Sequence, residues 1–154
     1  MARLREGRPV ARFYQVAASS PEVVMTGLLF KLVDQGMRVC LLVADGGQVR
    51  HWDDQLWRYP AERFLPHGVW DGADVELQPV LIAMRPDDRN GATVVVVAGG
   101  SQVVDESVWF DVVVDFVDVR DPVSARGRYR QYQARGYQME YWIQSPDGRW
   151  SKQG

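Results

Sequence analysis

Hydrophobic and polar positions along the chain switch between two periods, and the switches mark out its elements. RFYQVAA (Arg12 to Ala18) is aromatic and β-branched and predicts a first strand. SSPE follows, with Ser20 as N-cap and Pro21 at the first helical position. In EVVMTGLLFKLVDQG, Val24, Leu28 and Leu32 recur at i+4, as do Met25 and Leu29, and Gly36 is placed to stop the helix. MRVCLLVA is then a continuous apolar run of the kind that parallel sheets bury on both faces, which completes a βαβ unit. A second helix is predicted over Gln48 to Tyr59, where Val49, Trp52, Leu56 and Tyr59 keep helical spacing until Pro60 ends it.

PAERFLPHG reads as a short, punctuated connection. QPVLIAM (Gln78 to Met84) and ATVVVVAGG (Ala92 to Gly100) are further strands, separated by the turn-rich RPDDRNGA. VWFDVVVDFV (Val108 to Val117) mixes β-branched residues with periodic acids and leaves helix and strand both open. ARGRYRQYQARGY (Ala125 to Tyr137) forms a final helix closed at Gly136, and YQMEYWIQSPDGRW is a late strand or a hairpin turning at SPDG. With no internal repeat and no interdomain linker, residues 1–154 read as a single domain. The expected fold is a three-layer, Rossmann-like α/β arrangement around a mostly parallel sheet.

Length and composition fit that reading and narrow the function. A chain of 154 residues, 46% hydrophobic and 25% charged, supports one packed core. Cys40, its only cysteine, lies in the second apolar run, so neither an internal disulfide nor a multi-cysteine metal cage can form. No apolar run reaches the roughly 18 residues of a membrane span, and the N-terminus lacks the apolar core of a signal peptide. A cytoplasmic protein without a membrane contact is expected. The formal net charge of −2 argues against a surface that grips nucleic acid as a whole, since such binding rests on neutralising phosphates. Sixteen of the eighteen basic residues are Arg, only Lys31 and Lys152 being Lys, a bias that lowers the weight of any one Arg.

Catalytic signatures are missing. A nucleotide-binding version of this fold needs a glycine-rich turn after the first strand, and here that turn is AASSPE, so no phosphate-binding loop is expected. His51 and His67 have no Cys or His at ligand spacing, which excludes a zinc cage. His51 reads as a helix-surface imidazole and Cys40 as core; Asp53 and Asp54, adjacent on a helix, are splayed too far to share a proton. No catalytic residue, cofactor or metal is assigned.

Two stretches remain. The final helix collects four arginines and three tyrosines with no acid. Ala125, Tyr129, Tyr132 and Gly136 fall on one stripe, and Arg126, Tyr129 and Arg130 share an edge. Two guanidinium forks beside an aromatic body suit an acidic peptide with an apolar end. Single-stranded nucleic acid would satisfy the same forks, and a solvated basic face with tyrosines packed on the sheet is the bland alternative. The second stretch, QLWRYPAERFLPHG, crowds Trp57, Tyr59, Phe64 and Leu65 around two prolines, as core or as aromatic anchors for a partner protein.

FYQVA with SSPE, GMRVCLLVAD, WDDQLW, PAERFLPHG, QPVLI, VVVDFV and RGRYRQYQARGY resemble, in order, the motifs of the chi subunit of the bacterial DNA polymerase III holoenzyme. LWRYPAERFLPHG and RYRQYQARGY are the most specific of these. The resemblance implies a non-catalytic clamp-loader subunit that contacts DNA mainly indirectly. It also implies two partners on opposite surfaces. Trp57, Phe64, Leu65 and Pro66 would hold the psi subunit, with a repair helicase competing there; Arg126, Tyr129 and Arg130 would receive the acidic C-terminal tail of single-strand DNA-binding protein, with Val117 and Gly136 shaping an apolar pocket. The family commonly places a Lys one turn before the helix Arg, where Pro122 or Val123 stands here, so Arg120 or Arg128 is expected to complete the cradle. The segment beyond YQME extends past the resemblance and has no role in it.

Overall fold

The computed structural model describes residues 9–58, 63–98 and 108–153. β1 (Val10–Gln15), α1 (Pro21–Asp34), β2 (Val39–Leu42), α2 (Gly46–Arg58), β3 (His67–Val69), β4 (Val80–Ala83), β5 (Val94–Val97), β6 (Val112–Phe116), α3 (Pro122–Ala134), β7 (Gln138–Gln144) and β8 (Trp150–Gln153) follow one another, with a short 3-10 turn at Val75–Leu77. The strands form one sheet in the order β3-β4-β2-β5-β6-β1-β7-β8. Every pairing is parallel except β7 with β8.

The central strands are apolar runs because both of their faces are covered. Val39, Leu41, Val80, Ile82, Val94 and Val96 pack beneath α1 and α2, whereas Cys40, Leu42, Val95, Val97 and Val113 face the layer that holds α3. This gives the three layers expected. VWFDVVVDFV resolves as strand β6, since Val114 and Phe116 point to one core and Val113 to the other, which only a period of two allows.

Local chemistry sets the helix ends. Ser20 Oγ accepts from Val23 N–H at 3.3 Å and opens α1. Gly36 at φ 79° and Gly136 at φ 94° close α1 and α3 in the left-handed region, with Met37 N–H returning to Leu32 O at 2.9 Å and Tyr137 N–H to Tyr132 O at 3.2 Å. Two helices begin earlier than their hydrophobic periods suggest. Asp45 Oδ1 accepts from Gln48 N–H while Gln48 Oε1 accepts from Ala44 N–H, each at 2.9 Å, a reciprocal cap that starts α2 at Gly46. Asp121 caps Ser124 N–H at 3.2 Å and Pro122 follows as the first residue of α3. The expected end of the second helix at Tyr59 and Pro60 lies outside the described residues.

PHGV is more than a connection: His67–Val69 pairs with β4 as the edge strand β3. At the other end the late hairpin forms as expected, with Gly148 at φ 91° in the turn.

Candidate functional site: two surfaces on opposite faces

The turn that would cradle a phosphate in a nucleotide-binding relative of this fold is closed by a side chain. Gln144 Oε1 accepts from the backbone amides of Ala17 at 3.0 Å and Ala18 at 2.9 Å. These amides follow β1, where a dinucleotide fold keeps such groups for its ligand. Among the described residues no group of acids, histidines or cysteines could hold a metal ion. Cys40 is core, and burial pushes its thiol up to about 12.

The arginine helix lies across its own face of the sheet. Ala125 and Tyr132 are buried and Tyr129 is half-buried, its ring tilted on Phe13 at 5.4 Å between centroids. Val117, Val119, Pro122, Ala125, Arg126 and Tyr129 line a groove of about 310 Å³, completed by Gln15 and Tyr141. Tyr141 O–H donates to Gln15 Oε1 at 2.9 Å, and the Tyr141 ring stacks on Phe13 at 6.1 Å, so the groove has an aromatic, fixed floor. Val117, Arg126 and Tyr129 are therefore brought together. Arg126 and Arg130 are exposed and form no ion pair among the described residues.

Gly136 and Arg130 are placed elsewhere. Gly136 follows the C-terminus of α3 while Val117 precedes its N-terminus, and the helix from Arg126 to its end at Ala134 alone rises about 12 Å. Arg130 stands one turn beyond Arg126 and does not line the groove. Of the two arginines expected to complete the cradle, Arg128 needs correction. Arg128 is turned into the protein, with Nε on Asp115 Oδ2 at 2.7 Å, Nη2 on Oδ1 at 3.0 Å and Nη1 on Ser124 Oγ at 2.6 Å. Burial raises the Asp115 carboxyl against the pull of Arg128 and the Tyr132 hydroxyl. Arg120 is exposed but its guanidinium is folded onto Asp118 at 3.0 Å.

The second cluster lies under the opposite layer, near the β3 edge. Trp57 and Phe64 are each 59% exposed, and their rings meet at 5.2 Å. Trp57 also packs on His67 at 4.8 Å, and the His67 ring nitrogens reach Leu65 O at 2.8 Å and Asp53 Oδ1 at 2.9 Å. Arg63 forks Asp34 of α1 at 2.8 and 3.1 Å while lying over the Phe30 ring at 4.7 Å. This clamp fixes one side of Phe64; Leu65 fixes the other. Leu65, expected as a contact residue, is 1% exposed and belongs to the core, and Pro66 is half-buried. Phe64 turns outward onto Trp57 while Leu65 joins the core beneath α1 and α2.

Sequence patterning located the arginine helix and the Trp57–Phe64 pair but not the Arg63–Asp34 clamp, whose partners are 29 residues apart. Tyr141 and Gln15 were also missed as groove residues. The alternation in YQMEYW was the available signal, because it puts Tyr141 on the side facing α3.

Fold and surfaces together define a three-layer α/β domain whose exposed aromatic pair and exposed arginines sit on opposite faces of one sheet. Comparison with known proteins identifies the group more narrowly. The model of the family described as DNA polymerase III chi subunit, HolC, matches residues 9–140, and the chain belongs to that family of replication subunits. It is 30% identical over 106 residues to the DNA polymerase III subunit chi of Escherichia coli strain K12, covering 68% of this chain and 72% of that protein. It is 28% identical over 134 residues to the subunit of the same name from Pseudomonas aeruginosa, covering 83% of this chain and 92% of the relative.

Proposed function

We propose that this chain, as one domain, is a non-catalytic adaptor of the replication machinery in the bacterial cytoplasm. It links the clamp loader, through psi, to the acidic C-terminal tail of single-strand DNA-binding protein. The observation that carries this reading is the separation of the two surfaces. Trp57 and Phe64 stand with the α1/α2 layer near β3, whereas the Arg126 groove belongs to the α3 layer near β7. Two partners can then be held at once.

At the α3 groove, an acidic tail presents carboxylates to Arg126 at the rim while its terminal apolar side chain enters between Val117, Ala125, Tyr129 and Tyr141. A contact of that size is worth roughly −7 to −8 kcal/mol, micromolar affinity, and weakens with salt. At the other surface, psi covers the Trp57–Phe64 pair, which supplies the exposed aromatic anchor that dominates small interfaces. A repair helicase takes the same pair and excludes psi.

Calorimetric titration with a peptide copying the tail tests the first contact, and capture of psi on immobilised protein tests the second. Salt-sensitive micromolar binding of the peptide is expected, as is loss of psi capture in Phe64→Ala with peptide binding intact. Absence of peptide binding at low salt would remove the tail assignment; loss of both contacts in Phe64→Ala would indicate unfolding and move the test to Trp57→Ala.

A further inference from the structure

We propose a second ligand site, for single-stranded nucleic acid, in the aromatic groove between α1 and the C-terminal hairpin. Its components lie on the sheet face opposite the α3 groove. Strand register puts Phe116 of β6, Tyr14 of β1, Trp142 of β7 and Lys152 of β8 in one row across the sheet. Trp150 stands beside that row, opposite Gln144, and its ring meets Tyr14 edge to face at 5.3 Å. Val24, Leu28 and Lys31 of α1 form the facing wall, enclosing about 390 Å³ with Tyr14, Phe116, Trp142 and Trp150.

The charge around this groove favours a polyanion. Both lysines of the chain border it, Lys31 on the helix wall and Lys152 at the outer end of the row. Arg12 lies on the same face, two residues from Tyr14. Glu140 is the opposing charge; it is shared by Arg12 at 3.3 Å, Lys152 at 3.9 Å and the neutral Trp142 indole N–H at 3.0 Å, so with Lys31 the groove sets three cations against one carboxylate. Lys31 makes no ion pair among the described residues. Bases entering between indole rings with phosphates along a cationic rim is how single strands are held without sequence preference. An acidic peptide would use the lysines but leave the tryptophan faces without planar partners.

The site is separate from the surfaces already described. Tyr141 and Trp142 are adjacent in β7, and the pleat sends one into the α3 groove and the other into this one. Trp142, Trp150 and Lys152 lie beyond the 9–140 span matched by the family.

Fluorescence anisotropy of a labelled oligothymidylate of about 15 nucleotides, read at about 50 mM and about 200 mM salt with the full chain, tests the proposal. Salt-sensitive binding is expected. Trp150→Ala and Lys152→Glu should each weaken it by about tenfold, with Trp150→Phe retaining most of it and Arg126→Ala leaving it unchanged. Because Trp150 also packs on Tyr14, the exposed Lys152→Glu decides the matter if Trp150→Ala lowers the melting temperature. No binding at the lower salt, wild-type affinity in Lys152→Glu, or loss only in Arg126→Ala would overturn the site. Titration of the same variants with the acidic tail peptide keeps this outcome distinct from that of the α3 groove, where the hairpin variants should bind normally.

Discussion

Arg128 of α3 forks Asp115 of β6, Nε to Oδ2 at 2.7 Å and Nη2 to Oδ1 at 3.0 Å, and so pins the arginine helix to the sheet from within. Both side chains are nearly inaccessible, at 9% and 1%. Removing one member strands the other charge. Arg128→Ala should therefore cost about 3 to 5 kcal/mol in urea unfolding, whereas the joint change Asp115→Leu with Arg128→Met should recover most of that loss. A single variant with wild-type stability would show that the pair does not anchor α3.

Arg126 and Arg130 share an edge of α3 but differ in their surroundings, and tail binding should separate them. Arg126 borders the groove, so Arg126→Ala should weaken the peptide by about 1.5 to 3 kcal/mol, as expected for a charge-assisted bond. Arg130 is a rim charge, and Arg130→Ala should cost less than about 1 kcal/mol. Calorimetry on both variants checks the order; equal losses would extend the binding surface a turn further along the helix.

Asp87 sets an acid limit on the loops at the C-terminal end of β4. Burial raises its carboxyl, but the Arg89 side chain, bonded at 2.7 to 3.0 Å, and the Arg89 backbone N–H bring it below the ordinary value of 3.8. A folded-state value below the unfolded one stabilises the protein above the ordinary carboxylate range, and that contribution is lost as pH falls through the lower value. Arg89 also donates to Trp70 O at 2.7 Å, tying in the loop after β3. The difference in unfolding free energy between wild type and Asp87→Asn should be full near neutral pH and shrink as pH falls below the ordinary carboxylate range. A pH-independent difference would mean that Asp87 acts without its charge.

Cys40 should be inert in the native protein. It is fully buried with a thiol pushed up to about 12, so a thiol reagent at about pH 8 should label it only as fast as the chain opens. Labelling rates measured across a denaturant series check this; prompt native-state reaction would place the sulfur at the surface.

Local patterns already determined the βαβ start, the apolar strands, the closing glycines and the concentration of arginine on the last helix. Each rests on interactions within a few residues, or on burial of both sheet faces, which apolar runs such as VVVV at Val94–Val97 declare directly. The Trp57–Phe64 pair was also legible, because an excess of large apolar side chains around prolines stands out in sequence.

What sequence could not decide was which charged side chains remain available. Arg126, Arg128 and Arg130 are alike as residues, yet Arg128 is consumed by Asp115, an acid that becomes its neighbour only when β6 and α3 stack. Leu65 looks like Phe64 until the clamp from Arg63 to Asp34 orients the segment and sends one side chain inward and the other out. The row from Phe116 to Lys152 exists only because β1, from the start of the chain, is inserted between β6 and the β7–β8 hairpin. Periodicity assigns a residue to a face of its own element; only the packing of elements from distant parts of the chain decides what that face meets.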